Sequence, residues 1–456
     1  MKKIEKRAIM CLLLAGVLVI GLGVFCFRYV KDGGDWATYV ANKQIYNDKG
    51  RLSTGTLTDR NGTLLMTNTS EKMKFSDDKA IRKATVHLTG DRSGNVATGA
   101  NKVFADKLSG YNPLFGTYSL HGDGRNVNLT IDADLCTIAN DALDGRQGTV
   151  GVYNYETGEI LCAVSSPNYD PANPPKLDKD DKSGLYLNRF FSATFVPGSI
   201  FKLVTAAASI ENYSKYATWE FDCTGEERYG KGKGERVTCQ KKHGRVTLEQ
   251  ALADSCNCYF GKLTELIGPE VMNEYVEKTG LTISRDVNGI STAQGSFQFP
   301  NHGVRLAWAG IGQHDDMVNP CTMMTYMGAI AGGGRTVQPK ILRSVKFSNG
   351  LPAGFSWKSR TRRMIEEDTA TVLKNMMRNN VEENYGVENF PDLAICAKSG
   401  TAEVQKDQKP HAWFTGFLDD QEHPYAFIVL VEKGGFGSDV AGSVANKVLQ
   451  EVVEKY

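Results

Sequence analysis

The chain has 456 residues, a formal net charge of +1, and 41% hydrophobic and 23% charged residues. Nothing in that balance calls for nucleic acid or an acidic partner surface, and the composition is that of an ordinary globular protein. The length corresponds to roughly three domains at ~150 residues each.

The first element is apolar. Residues 8–27 carry no charge, and ~20 residues at ~1.5 Å rise span the ~30 Å core of a bilayer. Lys2, Lys3, Lys6 and Arg7 precede it, which predicts a cytoplasmic N-terminus with the remainder outside the cell membrane. The run exceeds the ~7–15 residues of a signal-peptide core and no A-x-A-like site follows, so an uncleaved single-pass anchor is expected. Bulky Phe25 argues against Cys26 as a lipid-bearing cysteine.

Residues 31–125 are polar and rich in Gly, Asn, Thr and Asp, the texture of a small extended module. From Asn126 the pattern changes. "NVNLTIDADLCTIANDAL" (126–143) ends in an amphipathic helix, and 148–166 alternates on both sides of Thr157-Gly158, a hairpin signature. Helical stretches follow at 199–210 and 248–267, the second with "ALADSCNCYF" at a join between helices. Then come the strands "DLAICAKSGTAE", "HAWFTGFL" and "YAFIVLVEKG" and a last helix at about 440–453. Two early strands, a helical middle, three late strands and a helix predict an α+β fold, in which the two ends of the domain meet in one antiparallel sheet covered by helices. The expected division is 1–30, cytoplasmic tip and transmembrane anchor; 31–125, a short extracytoplasmic pedestal; and 126–456, the catalytic domain.

Three short patterns carry chemistry: S-x-x-K at Ser199–Lys202, S-x-N at Ser255–Asn257, and K-S-G at Lys398–Gly400. Each alone is weak. Ser76–Lys79, Ser93–Asn95, Lys182–Gly184 and Lys278–Gly280 repeat them, but the first lies in a polar stretch, the third follows a charge run and the last closes a helix. Ser199, by contrast, opens a helix after Pro197-Gly198, so Lys202 shares its face. Serine needs a base, and a lysine at its ordinary ~10.4 is a poor one near neutrality. Burial, a helix N-terminus and the second cation at Lys398 would all lower it. Ser255 is positioned to relay a proton to a leaving amine, and Asn257 to bind a substrate amide or hold Lys202. Lys398, with a hydroxyl from Ser399 or Thr401, suits a carboxylate, and Gly400 admits an extended peptide to the strand edge.

The ten cysteines divide into two in the anchor and eight outside. Cys223 and Cys239 lie in a Gly- and charge-rich loop, where a disulfide worth ~3 kcal/mol and a pair of free thiols are both open readings. Cys256 and Cys258, flanking Asn257, read as small packing residues. No C-x-x-C or His-rich cluster has zinc spacing, so no metal and no cofactor are expected.

The three motifs in this order are associated with class A β-lactamases and penicillin-binding proteins. With "TDRNG" (58–62), "NLTIDADL", "YETGEILCAVSSPNYDP", "FVPGSIFKL", "DSCNCYF", "AGIGQ" and "AKSGTAE", the chain resembles class B penicillin-binding proteins, the membrane-anchored peptidoglycan D,D-transpeptidases. The resemblance implies a penicillin-binding, serine β-lactamase-like transpeptidase domain with a five-stranded antiparallel sheet. It makes Ser199 the acylated nucleophile, Lys202 its base, Ser255 and Asn257 the second motif, and Lys398, Ser399, Gly400 and Thr401 the third. The implied oxyanion hole is the N–H groups of Ser199 and Thr401. Implied partners are D-Ala-D-Ala stem peptides, β-lactams and a multi-span glycosyltransferase of the shape, elongation, division and sporulation family. The pedestal is short for a division enzyme, which favours an elongation- or sporulation-type member. His314 stands where the family usually has Gly and reads as a loop residue. A β-lactamase-like hydrolase and a penicillin-binding receptor or scaffold without turnover are the alternatives. The class A E-x-x-L-N loop is missing, since Gly184 stands where its Glu would precede Leu187-Asn188, and about seven residues precede the anchor, few for a signalling receptor.

Overall fold

The computed structural model describes residues 2–38, 46, 52–69, 71–112, 116, 124–178, 180–232, 234–403 and 408–456. The uncharged N-terminal run forms helix α1 (Lys2–Ala37), whose aliphatic side chains lie exposed along its length. Among the described residues it is the one helix long and apolar enough to cross a membrane. It continues past the expected end of the anchor to Ala37.

Two sheets follow. Strands β1 (Thr56–Thr58), β2 (Leu64–Asn68), β3 (Met73–Phe75) and β4 (Arg125–Leu129) join two strands from much later in the chain, β7 (Leu342–Phe347) and β8 (Pro352–Phe355). The six run in the order β8-β7-β4-β1-β2-β3, with β4 parallel to β1 and the other pairs antiparallel. Helix α2 (Lys79–Thr89) packs beside β2 and begins at Asp78, whose carboxylate caps it.

The second sheet has five strands, all antiparallel. It contains β5 (Gly148–Asn154) and β6 (Ile160–Ser166), the hairpin expected around Thr157-Gly158, with β9 (Ile395–Ala402), β10 (His411–Leu418) and β11 (Tyr425–Val431). The order is β9-β10-β11-β5-β6, so the last strand closes against the first, as the chain order predicted. Every residue of β10 and β11 is buried, which requires cover on both faces. Helix α7 (Pro320–Ala331), buried almost throughout, packs on β5, β10 and β11. Helices α3 (Ala133–Leu143) and α9 (Gly442–Lys455) pack on each other and on β6 and β11.

The "TDRNG" stretch ties the two sheets together. Buried Asp59 accepts the N–H groups of Asn61 (2.9 Å), Thr63 (2.8 Å) and, from the start of α3, Ala133 (3.0 Å). Asn61 donates to Asp132 at 2.9 Å, and Lys455 reaches the same carboxylate at 2.7 Å. Burial raises the Asp132 carboxyl, but the hydrogen bonds from Lys455, Tyr456 and the Leu135 N–H outweigh it and hold it below its ordinary value. The short motif thus acts as a junction between β1, α3 and α9.

Candidate active site

Ser199 lies in a single 3-10 turn, Gly198–Phe201, and the α-helix proper, α4 (Lys202–Asn212), begins at Lys202. The expected helix therefore opens more tightly than an α-turn. In a 3-10 turn residues i and i+3 are eclipsed, which sets Lys202 directly over Ser199. Gly198 makes the turn possible. Its φ is +58°, its N–H donates to Gly312 O at 2.7 Å, and a Cβ there would lie 2.9 Å from Thr401 O. Only glycine adopts that conformation at such close quarters without cost.

The second motif sits where α5 (Leu248–Ala253) meets α6 (Asn257–Ile267), the expected join. Ser255 takes a left-handed φ of +53°, and this kink turns both its hydroxyl and its carbonyl toward α4. Lys202 Nζ lies within hydrogen-bond reach of Ser199 Oγ (3.0 Å), Ser255 O (2.6 Å), Ser255 Oγ (3.1 Å) and Asn257 Oδ1 (2.6 Å).

The third motif lies on β9, an edge strand whose free side faces the Gly198–Phe201 turn. Gly400 permits that approach, since a Cβ there would come within 3.1 Å of Pro197 O. Lys398 Nζ reaches Ser255 Oγ at 3.2 Å and Ser399 O at 3.1 Å. All three motifs thus converge on one hydroxyl, Ser255 Oγ.

Both lysines are fully buried, and among the described residues neither pairs with a carboxylate. Burial, reinforced by the neighbouring Lys398 cation, pushes Lys202 down from 10.5 to about 7. Burial pushes Lys398 down to about 7 as well. A lysine near 7 is substantially neutral at physiological pH, and a neutral amine 3.0 Å from a hydroxyl has the reach a general base needs. Lys398, depressed by the same burial, has no carboxylate partner among the described residues, so an incoming anion would favour its protonated form.

One residue escaped the sequence reading. Tyr385, at the end of the turn 381–385 that follows α8 (Glu367–Asn380), accepts the Ser399 N–H at 2.9 Å through its hydroxyl. The same oxygen lies 3.0 Å from Ser399 Oγ and 3.5 Å from Lys398 Nζ. "EENYG" is an unremarkable polar stretch, and only the fold brings it to the K-S-G corner.

The repeated patterns stay apart from this cluster. Ser76 Oγ accepts the N–H of Asp78, the cap of α2. Ser93 belongs to a turn organised by Asp91, and Lys182 is exposed in a loop. Lys278 pairs with Glu211 (2.6 Å) and Glu366 (3.2 Å), and Gly280 follows the helix Pro269–Lys278 at φ +71°. His314 has φ +72° and a partly exposed ring bonded to Asp315 at 2.7 Å. Its left-handed backbone is one that glycine adopts most readily.

The loop cysteines do not form a disulfide. All ten are free thiols, with the Cys223 and Cys239 sulfurs 3.8 Å apart.

Residues 148–452 match the penicillin binding protein transpeptidase domain. The chain is 28% identical over 343 residues to peptidoglycan D,D-transpeptidase PbpA of Mycolicibacterium smegmatis, covering 68% of each. It is 26% identical over 416 residues to stage V sporulation protein D of Bacillus subtilis, covering 83% of this chain and 59% of that one. Among solved structures, penicillin-binding protein A of Mycobacterium tuberculosis superposes with a TM-score of 0.76 at 23% identity, over 88% of this chain and 100% of that one. The match over 148–452 takes in most of the chain and all three converging motifs, and on that ground this chain belongs to the penicillin-binding protein transpeptidase family.

Proposed function

We propose that the chain is a class B peptidoglycan D,D-transpeptidase of the elongation or sporulation type, and that Ser199 forms its acyl-enzyme. The observation that carries this reading is the buried Lys202 amine, at about 7, bonded 3.0 Å from Ser199 Oγ. The Ser199 hydroxyl gives its proton to Lys202 as Oγ attacks the carbonyl of the penultimate D-alanine. The N–H groups of Ser199 and Thr401 hold the resulting oxyanion. Ser255, touching both lysines, passes a proton to the departing D-alanine amine, leaving an ester on Ser199. An amine of a second stem peptide then attacks that ester. Asn257 holds Lys202, and Lys398 with Ser399 and Thr401 receives the terminal carboxylate, while the Gly400 edge pairs with the extended peptide. A β-lactam enters by the same route, its ring amide opening on Ser199.

In this organisation residues 1–30 form the cytoplasmic tip and anchor, 31–125 the pedestal and 126–456 the catalytic domain, which lies outside the membrane. The exposed apolar surface of α1 and its small residues Ala15, Gly16, Gly21 and Gly23 suit close packing against another membrane helix. The partner is a multi-span glycosyltransferase that polymerises the glycan strands. Replacing residues 1–30 with an unrelated transmembrane helix is expected to preserve acylation and to reduce co-purification with that partner. Undiminished co-purification would reduce the anchor to a tether.

The catalytic reading is tested with a D-Ala-D-Ala stem peptide and an amine acceptor. Release of D-alanine matched by crosslinked product supports transpeptidation. Release matched only by the free acid would make the chain a hydrolase.

A further inference from the structure

Four potential metal ligands converge beside the S-x-N motif. Strand 221–223 pairs antiparallel with 244–246, Cys223 opposite Gly244, which brings His243 Nδ1 to 3.4 Å from Cys223 Sγ. An inner hairpin, 226–228 with 236–238, returns the chain to Cys239, 3.8 Å from Cys223 Sγ and 3.7 Å from Cys256 Sγ. The ligand atoms of Cys223, Cys239, His243 and Cys256 all lie within 4.8 Å of one another, two of these residues buried and two half-buried.

These distances have a definite meaning. A disulfide needs sulfurs at about 2.05 Å. Thiolates at about 2.3 Å from a tetrahedral zinc lie about 3.8 Å from each other, and an imidazole nitrogen falls slightly closer. Three of the six ligand pairs, at 3.8, 3.7 and 3.4 Å, follow that pattern, and the rest lie within 4.8 Å. Cys258 Sγ also lies 3.4 Å from Cys239 Sγ but is not one of the four mutually close atoms. Backbone N–H groups already point at two of the sulfurs: Cys258 N lies 3.3 Å from Cys239 Sγ, and Tyr259 N lies 3.4 Å from Cys256 Sγ. Both belong to the first turn of α6, where the helix end favours negative charge. Soft thiolates with one imidazole select zinc among the common divalent ions, and a full four-ligand set marks a structural site.

We propose that Cys223, Cys239, His243 and Cys256 bind one zinc ion, which clamps the hairpin loop to the S-x-N junction. Binding releases three thiol protons to solvent. Cys256 is the central residue of Ser255–Asn257, and Asn257 Nδ2 is bonded at 2.9 Å to Thr238 O, next to Cys239. The ion thereby fixes the left-handed Ser255 and the carbonyl and amide oxygens that hold Lys202. The metal assignment stands apart from the catalytic reading, whereas its effect on acylation rests on it.

The test uses the full chain, purified in detergent from zinc-replete cells without chelator. Elemental analysis is expected to give about one zinc per chain, lost in Cys223→Ser and His243→Ala and retained in Cys258→Ser, whose sulfur neighbours Cys239 at 3.4 Å but donates to Val237 O and is not one of the four mutually close atoms. Cobalt exchanged into the unmutated protein is expected to show the thiolate charge-transfer and visible bands of a tetrahedral site, a readout independent of variant folding. Zinc-free protein with freely titratable thiols, or a Cys223–Cys239 disulfide in a peptide map, would overturn the site. Removal of zinc is expected to slow Ser199 acylation and its return to restore it. Zinc present at full occupancy, with acylation unmoved by its removal, would overturn the coupling to Ser255 alone.

Discussion

Lys202 and Lys398, fully buried and drawn from opposite ends of the catalytic sequence, reach the same hydroxyl, Ser255 Oγ, at 3.1 and 3.2 Å. Two cations so placed cannot both be retained without cost, and the pair is poised to share its protons through that serine. The pH behaviour of the site follows from this arrangement.

The acylation step, measured at saturating penicillin, is expected to rise about tenfold per pH unit below neutrality and to level off above about 7, as Lys202 becomes neutral. Lys398 and the sulfurs of Cys239, Cys256 and Cys258 face the same amine, the Lys398 cation lowering it and negative charge on the sulfurs opposing that shift. The linked stability has a definite sign. Folded Lys202 loses its proton at lower pH than the unfolded chain, so its contribution is present above 10.5 and is lost as pH falls toward about 7. Thermal melting of the wild type relative to Lys202→Met should therefore rise across that window. An acylation rate independent of pH would contradict Lys202 as the base.

Lys398→Ala is expected to slow acylation by a carboxylate-bearing penicillin about tenfold to a hundredfold, the worth of one charged hydrogen bond of ~1.5–3 kcal/mol. Thermal stability should fall little, because its missing partner is the ligand. The pH midpoint for Lys202 should also move upward with the neighbouring cation gone. Lys182→Ala and Lys278→Ala should acylate normally; normal acylation of Lys398→Ala itself would mean the third motif is misassigned.

Tyr385→Phe keeps the ring and removes the oxygen that accepts the Ser399 N–H. Leaving that donor unpaired should cost about 1–3 kcal/mol of stability. Acylation should slow as well, because the same oxygen sits 3.5 Å from Lys398. Differential scanning calorimetry with penicillin kinetics separates the two effects; a variant unchanged in both would remove Tyr385 from the site.

What the sequence disclosed was local chemistry. Ser199 and Lys202 are three apart, so any helical turn aligns them, and the 148–166 hairpin announces itself through Thr157-Gly158. The closure of β11 on β5 was legible because the late strands had to return to the early ones. Contacts fixed only by tertiary packing were not legible. The pairing of β4 with β7 joins segments some two hundred residues apart, and Tyr385 reaches Ser399 through a turn without a motif. The cysteines show why spacing alone misleads: Cys223, Cys239, His243 and Cys256 have no zinc-like intervals, yet two nested hairpins bring them together. The four repeated patterns were set aside by context: the S-x-x-K at Ser76 spans a helix start capped by Asp78, whose N–H Ser76 accepts.

The most direct measurement of the central claim is peptide mapping of the penicillin-treated full chain by mass spectrometry. One covalent penicilloyl adduct is expected, carried by the hydroxyl of Ser199, and absent from a folded Ser199→Ala protein while Ser76→Ala labels normally. An adduct on any other residue, or undiminished labelling of Ser199→Ala, would contradict the assignment of this serine as the nucleophile.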